Sequence, residues 1–276
     1  MAKLLSRRTF IIGGIGTLAY LYWQYKAIAI KHYSIPILNL PKEFEGFTIL
    51  HLSDLHSKEY GEKQRDLLQL MREIDFDIIA LTGDFVDKRN PQKEPLISLI
   101  NGIGDKPTFF VPGNHEWGTG FSVKEELEDL GVEVLDNKGY KFAKGNSQIW
   151  ILGVDDPYLG RDDLEGAMRE VQDDSPKVLL AHAPNIFGRA IEKNIDLTLV
   201  GHTHGGQVRL PFIGAIVAPG QGLFPKYDYG LYTTGLSSMI INGGIGESVL
   251  PIRFNHRPEI VVIKLVKKEE FNDPGY

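Results

Sequence analysis

Histidine, aspartate and asparagine residues recur in this chain directly after short apolar runs. The densest motif is Gly201-His202-Thr203-His204-Gly205-Gly206, which follows the apolar run 197–200. Further motifs precede it, in the order Asp54-x-His56, Gly83-Asp84-x-x-Asp87, Gly113-Asn114-His115-Glu116 and an isolated His182. Imidazole nitrogens and carboxylate oxygens bind divalent metals, and because the chain has no cysteine, a thiolate site is excluded. The motifs predict a metal site of nitrogen and oxygen ligands.

Taken singly, each motif also has an ordinary structural interpretation. An aspartate or histidine at the end of a strand is often a turn residue or a helix cap. The joint occurrence is more specific, since five of the eight histidines fall in these motifs. The other three, His32, His51 and His256, are expected to be surface or packing residues.

The elements that position these motifs alternate between two kinds of pattern. Leu67, Leu70, Met71 and Ile74 recur at helical spacing, as do Val123, Leu127 and Leu130 before Gly131. Strands are predicted at the apolar runs 47–52, 78–81, 109–111, 149–154, 178–181, 197–200 and 260–266. Alternation of this kind indicates an α/β fold, in which ligands gather at the carboxyl ends of the strands.

The size and composition of this chain of 276 residues favour a single globular α/β domain. The chain is 42% hydrophobic and 24% charged, which are ordinary values for a folded protein. Its net charge of −6, without a basic block in the body, gives no reason to expect nucleic acid as a partner. An anionic substrate would instead be attracted by the charge of bound metal. The sequence makes no prediction of oligomeric state.

The N-terminus indicates export. The stretch Ser6-Arg7-Arg8-Thr9-Phe10-Ile11-Ile12 resembles a twin-arginine signal, and the apolar segment 10–23 is shorter than the ~20 residues of a membrane span. Residues 1–30 are therefore predicted to be a signal peptide or a membrane anchor that contacts the export machinery. Ala27-Ile28-Ala29 offers a cleavage pattern, and an uncleaved anchor is the alternative. We expect a linker at 31–45, a folded domain at 46–267 and a charged tail at 268–276, in a protein located in the cell envelope.

The ordered series of motifs resembles the calcineurin-like metallophosphoesterase superfamily over about residues 47–206. With its N-terminus, the chain is most similar to bacterial exported, envelope-associated phosphoesterases. The resemblance implies a four-layer α/β/β/α sandwich of two mixed sheets flanked by helices. It also implies two divalent ions, of manganese, zinc or iron, that share Asp84. One ion would be held by Asp54, His56, Asp84 and His204, and the other by Asp84, Asn114, His182 and His202.

The resemblance further implies attack on phosphorus by a hydroxide between the two ions. His115 would be the general acid beside Asn114, and either Asp87 or Glu116 would orient its ring and raise its pKa. For Glu116, the alternative is a helix-start residue or a solvated carboxylate.

The substrate is expected to be a phosphodiester, or a related phosphate ester or pyrophosphate, of the cell envelope. The alternative is a non-catalytic metal-containing scaffold on the same fold. Recognition is expected in the segment 207–229, whose apolar residues either pack against the core, the preferred interpretation, or face lipid. Gln207 and Arg253 are candidate substrate-binding residues, and a surface ion pair is the alternative for Arg253.

Overall fold

The computed structural model describes residues 7–247 and 253–268. Within them, two six-stranded mixed sheets lie face to face, with strands and helices numbered here along the chain. The first sheet has the order β1-β16-β2-β3-β4-β5. Its strands are β1 (Ala29–Ile37), β2 (Thr48–Leu52), β3 (Ile78–Thr82), β4 (Thr108–Val111), β5 (Glu133–Val134) and β16 (Glu259–Lys267).

The second sheet has the order β14-β15-β9-β8-β7-β6. Its strands are β6 (Lys138–Lys144), β7 (Ser147–Gly153), β8 (Lys177–Leu180), β9 (Leu197–Val200), β14 (Gly230–Thr234) and β15 (Ser237–Ile241). In each sheet a run of parallel strands carries the motifs: β2, β3 and β4 in the first sheet, β8 and β9 in the second. The carboxyl ends of these strands therefore share one edge of each sheet.

Three apolar layers hold the sheets and helices together. The central layer lies between the sheets, because alternate residues of each strand point inward; Ile78 and Ala80 of β3 do so, while Ile79 and Leu81 point to the helices. The outer layers lie under helices α2 (Arg65–Arg72), α3 (Glu94–Ile103), α4 (Asn114–Gly118) and α5 (Lys124–Asp129) on one side, and α6 (Leu164–Ala167) and α7 (Phe187–Glu192) on the other. The predicted four-layer sandwich is confirmed.

The predicted linker at 31–45 is wrong for most of its length. Residues 29–37 form the edge strand β1, which pairs in parallel with β16 from Ala29 to Ile37. Ile35 and Ile37 are buried in the central layer, and Phe44 follows them there from a short 3-10 turn. The segment was hard to predict because its outward-facing residues are polar and because Pro36 is unusual in a strand, although an edge strand tolerates it. Of the predicted tail, residues 269–276 lie outside the described residues.

Helix α1 (Arg7–Lys26) precedes β1 and contacts the body of the protein at its C-terminal end. The Tyr20 ring lies 6.1 Å from that of Phe254, and the Arg257 guanidinium lies 4.5 Å from the Trp23 ring. The Lys58 ammonium lies 4.3 Å from the Tyr25 ring. No helix within residues 7–247 and 253–268 combines the length and apolar character of a membrane span.

Residues 207–229, called the flap below, form two small hairpins beyond β9. Their strands are β10 (Arg209–Leu210), β11 (Gly214–Ala215), β12 (Val217–Ala218) and β13 (Gly222–Leu223). The preferred expectation, that apolar residues of this segment pack on the core, holds for Tyr227, which packs on the outer layer of the second sheet, but is wrong for the side chains at the hairpin tips. Phe212 is fully exposed, and Leu223 and Phe224 are 69% and 71% exposed.

Candidate metal centre

All five motifs meet at the shared edge of the two sheets. Asp54 and His56 follow β2, Asp84 follows β3, and Asn114 and His115 follow β4. From the second sheet, His182 follows β8, and His202 and His204 follow β9. The centre therefore lies between the sheets, and its aspartates and histidines are buried.

One group of side chains surrounds the position predicted for the first ion. The Nε2 atoms of His56 and His204 are 3.0 Å apart. Oδ1 of Asp54 lies 3.4 Å from the His204 Nε2 atom and 3.9 Å from that of His56. Asp84 reaches the same group, since its Oδ2 lies 3.9 Å from His56 Nε2.

A second group adjoins the first through Asp84. Nε2 of His182 lies 3.2 Å from Oδ2 of Asp84 and 3.0 Å from Nδ1 of His202. Asp84 Oδ2 is thus the atom common to both groups, as a bridging ligand would be. Asn114, predicted to complete this group, carries a buried Oδ1 without a hydrogen-bond partner.

The donor atoms of both groups fit divalent cations. Nδ1 of His182 is 2.8 Å from the Thr82 carbonyl, so it carries a proton, and Nε2 faces the Asp84 carboxylate, where either a second proton or a cation can lie. Burial lowers the pKa of His182, but the carboxylates of Asp84 and Asp54 outweigh burial and hold that pKa well above its usual value. The group thus favours positive charge at the point where a cation would lie.

The backbone at this edge is strained in order to aim the ligands inward. Asp54, His56, Asp84, His202 and His204 all have positive φ angles, between 49° and 68°. Non-glycine residues rarely adopt this conformation, which costs of order 1–3 kcal/mol each and concentrates at functional sites. At Gly201 the requirement is space, because a Cβ atom there would overlap Ser53 and Asp54.

Glu116 fixes the backbone that carries Asp84. Its carboxylate is fully buried and accepts hydrogen bonds from the backbone N–H groups of Asp84 (2.7 Å), Phe85 (2.7 Å), Val86 (3.1 Å) and Gly113 (2.8 Å). Burial, followed by the charge of Asp84, raises the pKa of Glu116 to about 7. Glu116 does stand in the first turn of α4, as the helix-start alternative has it, and it caps that helix through Gly113 N–H. Its carboxylate is neither solvated nor in contact with the His115 ring, because all four of its hydrogen bonds go to backbone N–H groups.

Asp87 lies beside both His56 and His115. Its Oδ2 is 3.4 Å from Nδ1 of His56 and 3.7 Å from Nδ1 of His115. The carboxylate favours the proton of His56 on Nδ1, which leaves Nε2 free as a ligand atom. Asp87 therefore orients the His56 ring and lies next to Nδ1 of His115 without a hydrogen bond to it.

His115 faces the centre with Nε2, which is 3.9 Å from Oδ2 of Asp84. The ring Nδ1 of His115 accepts a hydrogen bond from the backbone N–H of Lys88 at 3.2 Å. The backbone N–H of His115 donates to Asp84 Oδ1 at 2.8 Å. Burial lowers the pKa of His115 to about 4, and the charges of Asp84 and Asp87 oppose burial only in part. The expected net rise of this pKa is therefore not found.

The order and geometry of these groups match a known family of enzymes. The family model for calcineurin-like phosphoesterases matches residues 47–206, which run from the start of β2 through His202 and His204. The chain belongs to the calcineurin-like phosphoesterase family. It is accordingly a metal-dependent phosphoester hydrolase, as predicted.

Two relatives extend the sequence match beyond the motifs, and one solved structure resembles the chain more distantly. An uncharacterized metallophosphoesterase of Bacillus subtilis (strain 168), YkuE, is 33% identical over 95% of this chain and 98% of its own length. The phosphodiesterase YaeI of Escherichia coli (strain K12) is 31% identical over 80% of this chain and 82% of its own. The phosphopantetheinyl hydrolase PptH of Mycobacterium tuberculosis has a solved structure that covers 84% of this chain and 99% of its own, with a TM-score of 0.44 and 12% identity.

Arg253 does not reach the substrate side of this phosphoesterase, contrary to both expectations for it. The residue is only 1% exposed. Its guanidinium donates to the carbonyl oxygens of Gly243 (3.0 Å), Gly244 (3.1 Å) and Gly246 (2.5 Å), which follow β15. Arg253 thus pins this loop from inside the fold, where it can neither clamp a second phosphate nor form a surface ion pair.

Gln207 directly follows the ligand motif, where the flap begins. Its backbone N–H donates to the His204 carbonyl at 2.9 Å, and its carbonyl accepts from Phe254 N–H at 2.9 Å. Of the three histidines expected outside the centre, His32 is exposed, while His51 and His256 are buried. Nε2 of His51 lies 2.8 Å from the Thr82 hydroxyl, so it supports the end of β3.

The motifs did not indicate Tyr158, which stands beside the second group. Its ring lies 4.6 Å from the His202 ring, with the planes tilted by 38°. Together with Pro219 and Tyr227, these rings line a mostly apolar cleft next to His202. The sequence did offer a signal for this loop, since Asp155 and Asp156, just before Tyr158, follow β7 in the same way that the motif residues follow their strands.

Proposed function

We propose that this phosphoesterase hydrolyses phosphodiesters of the cell envelope with two divalent cations. The observation that carries the proposal is the pair of adjoining ligand groups that share Asp84 Oδ2. When bound, the cations supply an activated water and neutralise charge on the phosphoryl oxygens. Mixed nitrogen and oxygen ligands without sulfur suit manganese, iron or zinc. The diester preference is supported by the similarity to YaeI, which is named a phosphodiesterase.

The residues of the chain divide the remaining work. Asp54, His56 and His204 would hold one cation, and Asn114, His182 and His202 the other, with Asp84 between them. Glu116 keeps the Asp84 turn in place through four backbone N–H groups. Burial of the centre excludes bulk water and strengthens the electrostatic interactions within it.

His115 is the proposed general acid for the departing alkoxide. With Lys88 N–H bonded to Nδ1, the neutral ring carries its proton on Nε2, the atom that faces the centre. Full proton transfer requires the imidazolium form, in which Nδ1 also carries a proton. Protonation of Nδ1 breaks the hydrogen bond from Lys88 N–H, and the ring then donates from Nδ1 to Asp87 after a small movement from 3.7 Å. An anionic phosphate at Nε2 would raise the lowered pKa of His115 and so favour this form.

The leaving group provides a sharp test of this role. Chelated protein is reloaded with manganese, zinc or iron, and the hydrolysis of alkyl and nitrophenyl phosphodiesters is compared with that of the monoesters and a pyrophosphate. In His115→Ala, kcat for the alkyl diester should fall about 10²–10³-fold, because an alkoxide needs a proton, whereas nitrophenolate leaves without one. His32→Ala, which alters an exposed histidine of β1, is the matched control. Equal losses for both leaving groups would remove His115 as the acid, and no hydrolysis by metal-loaded wild type would favour the scaffold alternative.

The envelope location is part of the proposal and includes an uncleaved N-terminus. Cleavage after Ala29 would remove the first residue of β1, whose N–H donates to the Pro258 carbonyl at 2.7 Å. It would also remove Trp23 and Gln24, which contact the folded body. These contacts support a helix that stays attached as an anchor.

Export and retention can be tested together. Residues 1–35 are fused to a folded reporter, and the mass and location of the product are measured in cells. The fusion should cross the membrane at full length, and replacing both Arg7 and Arg8 by lysine should hold it in the cytoplasm. Passage of the lysine variant would contradict the twin-arginine route, and a shortened product would contradict the uncleaved anchor.

A further inference from the structure

The flap buries small side chains and exposes large apolar ones, which is the reverse of how a loop that packs on its own protein is usually built. Its buried side chains are small: Ala215 and Ala218 pack inward, with Ala215 against Gly206. Tyr227 is half-buried against the core, but five large apolar side chains of the flap face solvent, and they are Phe212, Ile213, Val217, Leu223 and Phe224. Val217 and Leu223 are paired across the second hairpin, and soluble proteins rarely expose so many large apolar side chains in one segment unless something covers them.

The flap is continuous with a second exposed apolar surface, that of helix α1. Phe254 joins them: it bridges Val208, at the start of the flap, and its ring meets Tyr20 of α1 at 6.1 Å. The N–H of Arg209 donates to the Phe254 carbonyl at 3.0 Å, which fixes the first hairpin beside the helix. Ile11, Ile12, Ile15 and Leu18 of α1 are between 59% and 69% exposed.

The charges of these two segments are basic although the protein is acidic. Residues 7–31 and the flap together contain six basic residues and one acidic residue, whereas the whole chain has 30 and 36. The acidic residue is Asp228, which is 2.8 Å from the Arg209 guanidinium. Lys31, Arg209 and Arg257 line a polar cavity at the base of α1, together with Gln24. Glu259 also lines it, but its carboxylate already accepts hydrogen bonds from Tyr229 (2.6 Å) and Gly243 N–H (2.8 Å).

We propose that the flap and α1 form one surface that docks on an anionic lipid membrane. The apolar tips enter the acyl boundary, while the basic residues at the base of α1 meet lipid phosphates. Tyr20, Tyr22 and Trp23 lie in the last two turns of α1, with the Trp23 ring 4.5 Å from the Arg257 guanidinium, and amphipathic aromatic rings of this kind favour the membrane interface. A docking site for a protein or a second copy has no need of this excess of positive charge.

Docking would also bring the metal centre to the lipid headgroups. The turn between β12 and β13 lies over the centre, since a Cβ atom at Gly220 would be 3.5 Å from His202 Nε2 and 2.8 Å from the Tyr158 ring. A phosphodiester held at headgroup level would then reach the ligands past this turn. This consequence for substrate class rests on the proposed function, whereas the docking itself does not.

Binding to lipid vesicles tests docking without any enzyme assay. The full chain is floated with vesicles of phosphatidylcholine alone or mixed with phosphatidylglycerol, at low and high salt. Wild type should bind the anionic vesicles more tightly and lose that advantage in salt. Phe212→Ser with Phe224→Ser should weaken binding roughly tenfold for each phenylalanine removed. Lys31→Ala with Arg257→Ala should weaken binding about fivefold per charge, on anionic vesicles only.

Leu236→Ser is the matched control, because Leu236 is an exposed leucine (54%) in the β14–β15 turn, outside the docking surface. It should bind vesicles as wild type does. Binding by the double phenylalanine variant within twofold of wild type would overturn the proposal, as would equal binding to neutral and anionic vesicles. Self-association without lipid that the phenylalanine variant abolishes would show a surface for a second copy instead.

Insertion has a separate readout in a variant that keeps the apolar tip. The variants are made in a Trp23→Phe background, which removes the native tryptophan of α1 from the docking surface. There, Phe212→Trp should show blue-shifted emission with anionic vesicles and quenching by brominated acyl chains, while Leu236→Trp should show neither. Emission from the Phe212→Trp variant that stays unshifted on bound vesicles would contradict insertion of the flap. None of these measurements uses turnover. They can therefore distinguish an inactive enzyme that docks on membranes from an active enzyme that does not dock.

Discussion

The metal centre and the flap lie at the same edge of the sheets but are built in opposite ways. In the centre, polar side chains are buried and the backbone is strained, and the strand ends of both sheets hold it in place. In the flap, strands of two residues carry large apolar side chains outward over two buried alanines. The polar groups of the centre thus need only bound cations to be satisfied. The apolar side chains of the flap, in contrast, need a partner outside the chain to cover them.

The largest effect should come from Asp84, the one side chain that both ligand groups share. Asp84→Asn keeps the shape, and its remaining oxygen can still accept the N–H of His115 at 2.8 Å, but the bridging charge is lost. Several kcal/mol of transition-state stabilisation would disappear, which corresponds to roughly 10³-fold in kcat. Metal content measured by mass spectrometry should fall by at least one ion per chain.

Asp196→Asn is the matched control for Asp84. Asp196 is another carboxylate at a strand edge, and its Oδ2 accepts the N–H of Lys177 at 2.8 Å, away from the ligands. This variant should keep both ions and its turnover. Two bound ions and wild-type turnover in Asp84→Asn would show that the two groups do not depend on the shared carboxylate.

The second effect should appear in stability. In Glu116→Gln, one end of the side chain becomes an N–H donor that faces two of the four backbone N–H groups. At about pH 8, above the Glu116 pKa of about 7, the carboxylate is charged, and each hydrogen bond to a charged acceptor contributes about 1.5–3 kcal/mol. The free energy of unfolding at that pH should therefore fall by about 3 kcal/mol or more. Urea unfolding measures this loss, and Glu125→Gln, which alters an exposed carboxylate of α5, should cost less than about 0.5 kcal/mol. If Glu116→Gln lowered the free energy of unfolding as little as the control does, the backbone turn at Asp84 would be stable without the Glu116 hydrogen bonds.

The contrast between the two regions also explains what the sequence could predict. Ligands such as Asp54 and His182 were predictable because each follows its own strand by two residues, and parallel strands bring their ends to one edge. The roles of Glu116 and Arg253 were not. Glu116 bonds backbone groups from two separate strand ends, and Arg253 bonds a loop seven to ten residues earlier in the chain. Such pairings arise only when the strands have already packed.

The exposed tips of the flap were missed for a related reason. Composition gives the number of apolar residues in 207–229 but not which side they face, because strands of two residues are too short to show an alternating pattern. Export through the twin-arginine motif remains a prediction, because it is tested by locating the protein in cells and not by its fold.

The smallest effects should lie within the flap and should differ between its two sides. Phe212→Ser removes a fully exposed side chain, so the free energy of unfolding should change by less than about 0.5 kcal/mol. Ala215→Leu enlarges a buried side chain that packs against Gly206, and overpacking there should cost about 1–3 kcal/mol. Urea unfolding of both variants in the absence of lipid separates the two sides. A destabilisation by Phe212→Ser equal to that by Ala215→Leu would mean that the phenylalanine packs on the protein in solution, and the difference between flap and metal centre would then disappear.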